Sequence, residues 1–234
     1  MIVTETSRGW RCITQPDHAR LSHDVLSLWH TDGLPTHPGR EGLLLAVREH
    51  DNGWQEADAA PQLNNATGGP HDFTTLPIPD RLQIWQRGIA RHRHEHPYVA
   101  ALIIEHCRQL ARAPASSPSA WVDFLAGLES QSDDALAEAG LQRKGLLADY
   151  HWLHLADLIS LAACAGWNHG FVRGNLSGEV AGDTVHLTPF PLAGATAFSV
   201  PCRYLEREPF NSDAEMATAL ATCHWEQLTL RIAP

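Results

Sequence analysis

Lysine is almost absent from this sequence, and no cluster of basic residues is present. Of the 17 basic residues one is Lys144 and the others are arginines, and the 27 acidic residues give a formal net charge of −10. Proteins that bind nucleic acid need a basic surface to neutralise the phosphates. The composition therefore predicts no nucleic-acid partner.

Paired cysteines, long apolar runs and a leader-like N-terminus are also missing. The five cysteines are odd in number and none belongs to a CxxC pair, which favours a reducing compartment over a disulfide framework. No apolar run reaches the roughly 18 residues of a membrane helix. Residues 1–10 combine no charged region with an apolar one, as a secretion signal would. We expect a cytoplasmic protein without membrane association.

The apolar content is sufficient for a folded core. Of 234 residues, 44% are hydrophobic and 19% are charged, whereas about 25% are charged in an average soluble domain. This length predicts a single domain over 1–234. We expect a mainly α fold with an all-helical core over 16–165, and a small β-rich periphery formed by an N-terminal hairpin within 1–15 and C-terminal strands within 170–234.

Hydrophobic periodicity and turn residues predict the order of the elements. After the hairpin, helices are expected to begin near Pro16 and Arg40. The segment 58–80 is rich in Pro and Gly and is interpreted as a long loop, which is typical of a functional or covering segment. The later predictions are helices over 80–94, 97–112, 119–130 and 133–165 with a Pro/Ser-rich joint at 113–118, strands over 184–188, 196–205 and 227–232, and a helix at about 212–223. Gly140 and Gly145 are candidate break points in the helix over 133–165.

Histidine is frequent, with 15 residues, and aspartates accompany several of them on predicted helices. His50 and Asp51 directly follow an apolar run, Asp157 lies among aliphatic residues, and His18 and His106 lie on two further helices. A buried carboxylate needs a cation or hydrogen-bond donors, and histidine is the commonest metal ligand. These five residues predict a metal site.

Alternatives remain for two of these ligands. His23 lies on the same predicted helix as His18. Asp149 and Asp123 precede Asp157 and are alternatives for the last ligand, because the chain before Asp157 is long.

Two other groups of histidines are interpreted as solvated or structural. His92, His94 and His96 alternate with charged residues at a helix end, which is typical of an exposed face. His71 and Asp72 lie in the long loop and favour a turn there.

In their order along the chain, the candidate ligands resemble the signature of the HD-domain superfamily of metal-dependent phosphohydrolases. That signature has a His on an early helix, an adjacent His-Asp pair on the next and a late helical Asp. The resemblance implies that His18, His50, Asp51 and Asp157 bind a metal, and that His106 is the extra helical His of two-metal members.

Several short stretches within 1–165 also resemble an uncharacterised bacterial domain-of-unknown-function family. They are QPDH at 15–18, EHDNGW at 49–54, DAAP at 58–61 and HDF at 71–73. This second resemblance implies no activity.

The HD resemblance also implies where catalytic carboxylates should lie. Asp51 would belong to the catalytic centre, and many nucleotidases of the superfamily have an acidic residue one turn later, where this chain has Trp54. Glu56 and Asp58 follow and are the candidates for that role.

The resulting hypothesis is a metal-dependent phosphohydrolase that acts on a small phosphorylated metabolite or nucleotide. Mixed imidazole and carboxylate ligands suit Mn, Fe, Co, Ni or Zn better than Mg or Ca, as one or two ions. An arginine fork is expected to bind the phosphate. The candidates for that fork are Arg20, Arg48, Arg81, Arg87 and Arg91.

Two other hypotheses remain from the sequence. The alternative is a non-catalytic metal-binding, ligand-binding or assembly protein on an HD-like scaffold, which the replacement of an acid by Trp54 favours. A third is a metal-dependent oxygenase on such a scaffold. The oligomeric state is not defined by the sequence.

Overall fold

Segments from both ends of the chain pair in one sheet. The computed structural model describes residues 1–111 and 119–234, so the predicted joint at 113–118 lies outside the described residues. The strands in the described part are β1 (Ile2–Thr6), β2 (Gly9–Ile13), β3 (Leu63–Asn64), β4 (Gly69–Pro70), β5 (Phe171–Arg173), β6 (Leu176–Ala181), β7 (Thr184–Thr188), β8 (Thr196–Leu205) and β9 (Glu226–Ala233).

Seven of these strands form the main sheet, in the order β1-β2-β8-β9-β7-β6-β5, while β3 and β4 pair separately. Neighbours run antiparallel except β7 and β9, which are parallel. The N-terminal hairpin joins the C-terminal strands through Trp10 opposite Leu205. The predicted hairpin and its pairing with the C-terminal strands are therefore confirmed.

Helices form the second layer. In the described residues they are α1 (Gln15–Ser27), α2 (Arg40–Glu49), α3 (Gln55–Ala59), α4 (Ile78–His92), α5 (Pro97–Leu110), α6 (Ser119–Ala139), α7 (Arg143–Ala165) and α8 (Asp213–Thr222), with short 3-10 turns at Leu34–Thr36 and Asn52–Trp54. Helices α1, α2, α5 and α7 contact one another, and α1 and α7 also contact the sheet. The main core lies at this contact between helices and sheet.

The expected mainly α fold, with an all-helical HD-like core and a small β-rich periphery, is wrong. Helix makes up 51% and strand 20%, and the large sheet curls into a half-barrel. Strands β5 and β6 escaped prediction; they form a hairpin whose turn contains Gly174, which has a left-handed φ of 62°. The sheet as a whole depends on pairing between distant segments, which local periodicity does not reveal.

Local signals fixed several helix ends. The Thr14 hydroxyl accepts a hydrogen bond from the Asp17 amide at 3.1 Å, which caps α1, and Ser212 caps α8 in the same way. Gly140 has a φ of 64°, and α6 ends there instead of near residue 130. The segment predicted as a helix over 133–165 is broken at Gly140, one of its two candidate break points, and its first part continues α6.

Among residues 1–111 and 119–234, no helix combines the length and the apolar composition that crossing a bilayer requires.

Candidate metal centre

Four helices bring the predicted ligands together in the core. His18 lies on α1, His106 on α5 and Asp157 on α7, while His50 and Asp51 follow the last turn of α2. All five are buried, with at most 6% of each residue exposed. Carboxylates and imidazoles that lie so close together in the core need to neutralise one another or to bind a cation.

The two carboxylates lie between two imidazoles. Nε2 of His18 is 3.2 Å from Oδ2 of Asp51 and 3.4 Å from Oδ1 of Asp157. Nε2 of His50 is 3.5 Å and 3.4 Å from the same two oxygens. Four potential ligand atoms therefore surround one point.

The hydrogen bond of His50 determines which of its two ring nitrogens directs a lone pair at that point. Its Nδ1 lies 2.7 Å from the Val47 carbonyl oxygen, which can only accept, so Nδ1 carries the proton. Nε2 has no hydrogen-bond partner in the described residues and, in the neutral ring, directs its lone pair at two carboxylates. Only a proton or a metal ion at this position turns the contact into an attraction.

The pKa values of His50 and Asp157 reflect this arrangement. Burial lowers the pKa of His50, but the charges of Asp51 and Asp157 outweigh it and raise that pKa to about 9. Burial would raise the pKa of Asp157, yet the adjacent imidazole of His50 and the other nearby imidazoles hold it well below the usual range. A cation is thus favoured between the two carboxylates.

His18 is oriented by two serines. Its Nδ1 is 2.7 Å from Oγ of Ser160, and the Ser160 hydroxyl donates to the backbone oxygen of Asp157 at 2.9 Å. On the opposite edge of the ring, Nε2 of His18 lies within hydrogen-bond distance of Oδ2 of Asp51, at 3.2 Å. Ser22 packs against Ser160 at 2.7 Å. Such outer contacts fix the tautomer of a metal-binding imidazole.

His106 completes the cluster. Its ring centroid is 4.9 Å from that of His50, its Nδ1 lies 3.4 Å from the hydroxyl of Tyr150, and burial lowers its pKa to about 4. The ligand atoms of His18, His50 and Asp157 lie within 4.8 Å of one another, as do those of His50, Asp51 and His106. These buried His/Asp groups can hold a metal ion.

Gly53 allows the segment after Asp51 to pack closely. A Cβ at Gly53 would lie 2.1 Å from the Ile84 carbonyl oxygen and 2.9 Å from the Gly88 nitrogen, both on α4. The side-chain amide of Asn52 donates to the Glu49 carbonyl oxygen at 2.6 Å. The backbone around Asp51 is therefore held directly against α4.

A cavity of about 170 Å³ adjoins the ligands, and we call it the metal-side cavity. Three ligands form one wall, and the rest is largely apolar or aromatic. Trp54 and Trp85 are buried in that wall, and Arg81 is a basic group there. The lining residues are Gln15, Asp51, Trp54, Phe73, Thr74, Arg81, Trp85, His106, Leu110, Asp157 and Leu161.

Comparison with models of protein families identifies the family of this chain. Residues 1–207 match the model of the family described as Protein of unknown function (DUF3891). The chain belongs to that family. This confirms the resemblance to an uncharacterised family, which carries no activity. Comparisons with curated proteins and with solved structures returned no match.

Among the five arginine candidates in this DUF3891 protein, Arg81 lines the metal-side cavity. Its Nε is buried without a partner in the described residues, and burial lowers its pKa. The other four lie elsewhere, against acidic side chains. Arg20 pairs with Asp17, Arg48 lies 3.8 Å from Glu49, and Arg87 and Arg91 pair with Glu56.

The two other acidic candidates do not line the metal-side cavity. Glu56 is about half exposed and ion-pairs with Arg91 and Arg87. Asp58 is buried, 2.5 Å from the Met1 amino group, and accepts a hydrogen bond from the Gln15 amide at 2.6 Å. Both carboxylates therefore already have cationic partners outside the cavity.

The alternative ligands also lie apart from the cluster. Asp149 binds His37 at 2.9 Å and the Tyr98 hydroxyl at 2.8 Å. Asp123 is exposed on α6, and His23 contacts Asp24 at the surface.

The remaining histidine groups lie in a turn and at a largely exposed helix end. Asp72 accepts from the backbone nitrogens of Val3 and Thr74, which fixes a turn beside the cavity. His92 lies 3.6 Å from Glu49. His94 and His96 lie at the C-terminal side of α4.

Sequence reasoning did not identify Ser22 and Ser160 as part of the site. Each lies one helical turn from a ligand, Ser22 after His18 and Ser160 after Asp157. Small hydroxyl residues three or four positions from a buried ligand share its helix face, and that spacing was the available signal.

Proposed function

We propose that this protein is a metal-dependent phosphohydrolase that acts on a small phosphorylated metabolite or nucleotide. The observation that carries the proposal is that the Nε2 atoms of His18 and His50 both lie 3.2 to 3.5 Å from oxygens of two buried carboxylates beside a cavity. The ligands proposed are His18, His50, Asp51, His106 and Asp157. Their order along the chain supports a relationship to the HD-type metal site.

The donor set supports a transition metal. Three imidazoles and two carboxylates suit Mn, Fe, Co, Ni or Zn, and the two overlapping ligand groups allow one ion or two. The chemistry that such an ion supplies is acidification of a bound water and polarisation of a phosphoryl oxygen.

Arg81 is the proposed phosphate-binding residue. Arg81 forms no ion pair among the described residues and lines the same cavity as Asp51 and Asp157, and a guanidinium fork matches two phosphoryl oxygens. The rings of Trp54 and Trp85 would contact the apolar part of the substrate. Segment 58–80 contributes Phe73 and Thr74 to the wall, which supports its role as a cover.

A cytoplasmic location is part of the proposal. All five cysteines are free, and four of them are buried. This pattern supports a reducing compartment.

Metal analysis of protein purified without a histidine tag tests the proposal. We expect bound Mn, Fe, Co, Ni or Zn in the native protein and loss of that metal in Asp51→Ala. Asp123→Ala is the matched control, because Asp123 is an exposed aspartate on α6. A folded protein without metal and without a thermal shift on addition of these ions would rule the proposal out.

Turnover is tested next with a panel of phosphate monoesters and nucleotides on metal-loaded protein. We expect hydrolysis that disappears in His50→Ala, while the helical circular dichroism signal persists. Metal content without hydrolysis of any panel member would contradict the enzymatic half of the proposal.

A non-catalytic metal-binding or ligand-binding protein is the second candidate. One observation favours it: among the described residues, the carboxylates that line the metal-side cavity are Asp51 and Asp157, both in the ligand set. No separate acid is thus available there to protonate a leaving group. Binding of a phosphate ester without turnover would select this candidate.

A further inference from the structure

A second, larger cavity lies where the helices meet the sheet. Its volume is about 500 Å³, and we call it the junction cavity. Helices α1, α2 and α3 form one side, and Arg203 on β8 with Trp225 before β9 form the other. It is distinct from the metal-side cavity, because none of the five proposed metal ligands lines it.

The carboxylates that line the junction cavity are already paired. Asp17 pairs with Arg20. Asp58 binds the Met1 amino group at 2.5 Å. The third carboxylate, discussed next, also has basic neighbours.

Glu49 lies 3.6 Å from Nε2 of His92 and 3.8 Å from Nε of Arg48. Its hydrogen bond to His92 lowers the pKa of Glu49. The negative charges of these carboxylates are therefore offset by their own basic neighbours. They do not neutralise the positive charge on the wall formed by the sheet.

Arg203 is the basic group on that wall. One of its terminal nitrogens donates to the Leu220 carbonyl at 3.0 Å. Its Nε is buried and has no hydrogen-bond partner in the described residues, where Arg203 also forms no ion pair. The guanidinium charge on this wall therefore has no carboxylate partner among the described residues, and an anionic ligand would supply one.

Trp225 provides a flat surface beside this charge. The guanidinium carbon of Arg203 lies 4.3 Å from the Trp225 ring centroid. Trp225 is 54% exposed, which is unusual for such a large apolar residue. An aromatic ring that stacks on it would cover apolar surface next to the cation.

We propose that the junction cavity binds a small organic anion that carries an aromatic ring. Its phosphate or carboxylate group contacts Arg203, and its ring stacks on Trp225. The cavity volume lies within the range of small-molecule sites. This site is independent of the metal centre and of the proposed hydrolysis.

Calorimetric titration of the full chain tests the proposal with phenylphosphonate, benzoate and inorganic phosphate as probes. Phenylphosphonate resists hydrolysis, so turnover at the metal centre does not affect the measurement. We expect saturable binding of an aromatic probe and at least about tenfold weaker binding of inorganic phosphate. The two aromatic probes distinguish a phosphate from a carboxylate as the anionic group.

Variants assign the binding to the junction cavity. Arg203→Gln and Trp225→Ala should each weaken binding of the aromatic probe by about tenfold or more. Arg8→Gln is the matched control, because Arg8 also stacks on a ring of this sheet, 3.8 Å from the Tyr204 centroid, but does not line the cavity. Arg8→Gln should leave the affinity within about twofold. Arg81→Gln removes the proposed phosphate contact at the metal-side cavity, so binding that persists in this variant and is weakened in Arg203→Gln belongs to the junction cavity.

Three results would overturn the proposal: no saturable binding of either aromatic probe up to about 10 mM, unchanged affinity in both test variants, or loss of binding in Arg81→Gln alone. Thermal unfolding checks that each variant is folded. If Arg203→Gln does not fold, Trp225→Ala decides the question, since that side chain is half exposed and its truncation removes little of the core.

Discussion

The two cavities of this protein have opposite electrostatic requirements. At the metal-side cavity, imidazole nitrogens and carboxylate oxygens converge, and the arrangement calls for a cation. At the junction cavity the carboxylates are paired and Arg203 forms no ion pair among the described residues, so the arrangement calls for an anion. The difference shows that a binding site is defined by which polar atoms lack partners, more than by which residue types line it.

Substitution of Asp157 has the largest expected effect. Asp157→Ala should remove the metal and lower turnover by at least about 1,000-fold, because the ion would lose a buried ligand and its charge. Metal analysis and phosphatase assays measure this. Asp149→Ala is the control: it breaks contacts with His37 and Tyr98 and should leave the metal bound. Metal loss in the control and retention in Asp157→Ala would transfer the ligand role to Asp149.

Substitution of Arg81 tests whether the metal-side cavity has an anion site of its own. Arg81→Gln should raise KM for a phosphate ester by about 10- to 100-fold, since a charge-assisted hydrogen bond is lost, with metal content unchanged. Arg87→Gln, which affects a residue paired with Glu56 outside the metal-side cavity, is the control for steady-state kinetics. Equal effects of the two substitutions would remove Arg81 from the phosphate site.

Glu56 has the smallest expected effect. Glu56→Gln should change kcat by less than about twofold and stability by less than about 1 kcal/mol, because its ion pairs are exposed. Kinetics of the variant on metal-loaded protein provide the measurement. A loss of about 100-fold or more would identify Glu56 as the catalytic acid and would require segment 55–59 to move toward the cavity.

The sequence was most informative about the candidate metal ligands. Each of the five lies within or directly after an apolar helical segment, so its burial could be predicted from neighbouring residues. The spacing of His50 and Asp51 after an apolar run placed two polar groups at the core. A polar residue within an apolar pattern is visible without tertiary information.

The sequence was less informative about groups whose partners are distant. Asp58 follows the site residues closely along the chain, yet it binds the Met1 amino group and the Gln15 amide. The close packing at Gly53 depends on α4, more than 30 residues away. The half-barrel sheet likewise joins residues near 10 and 205.

The sequence by itself determined the helix caps, the hairpin, three of the C-terminal strands and the set of potential metal ligands, because these depend on local periodicity and residue chemistry. Tertiary structure decided that β strands form a large sheet, which arginine enters the metal-side cavity, and that Arg203 and Trp225 meet α1 across the junction. Those outcomes depend on contacts between segments far apart in the chain, where neither spacing nor propensity carries the information.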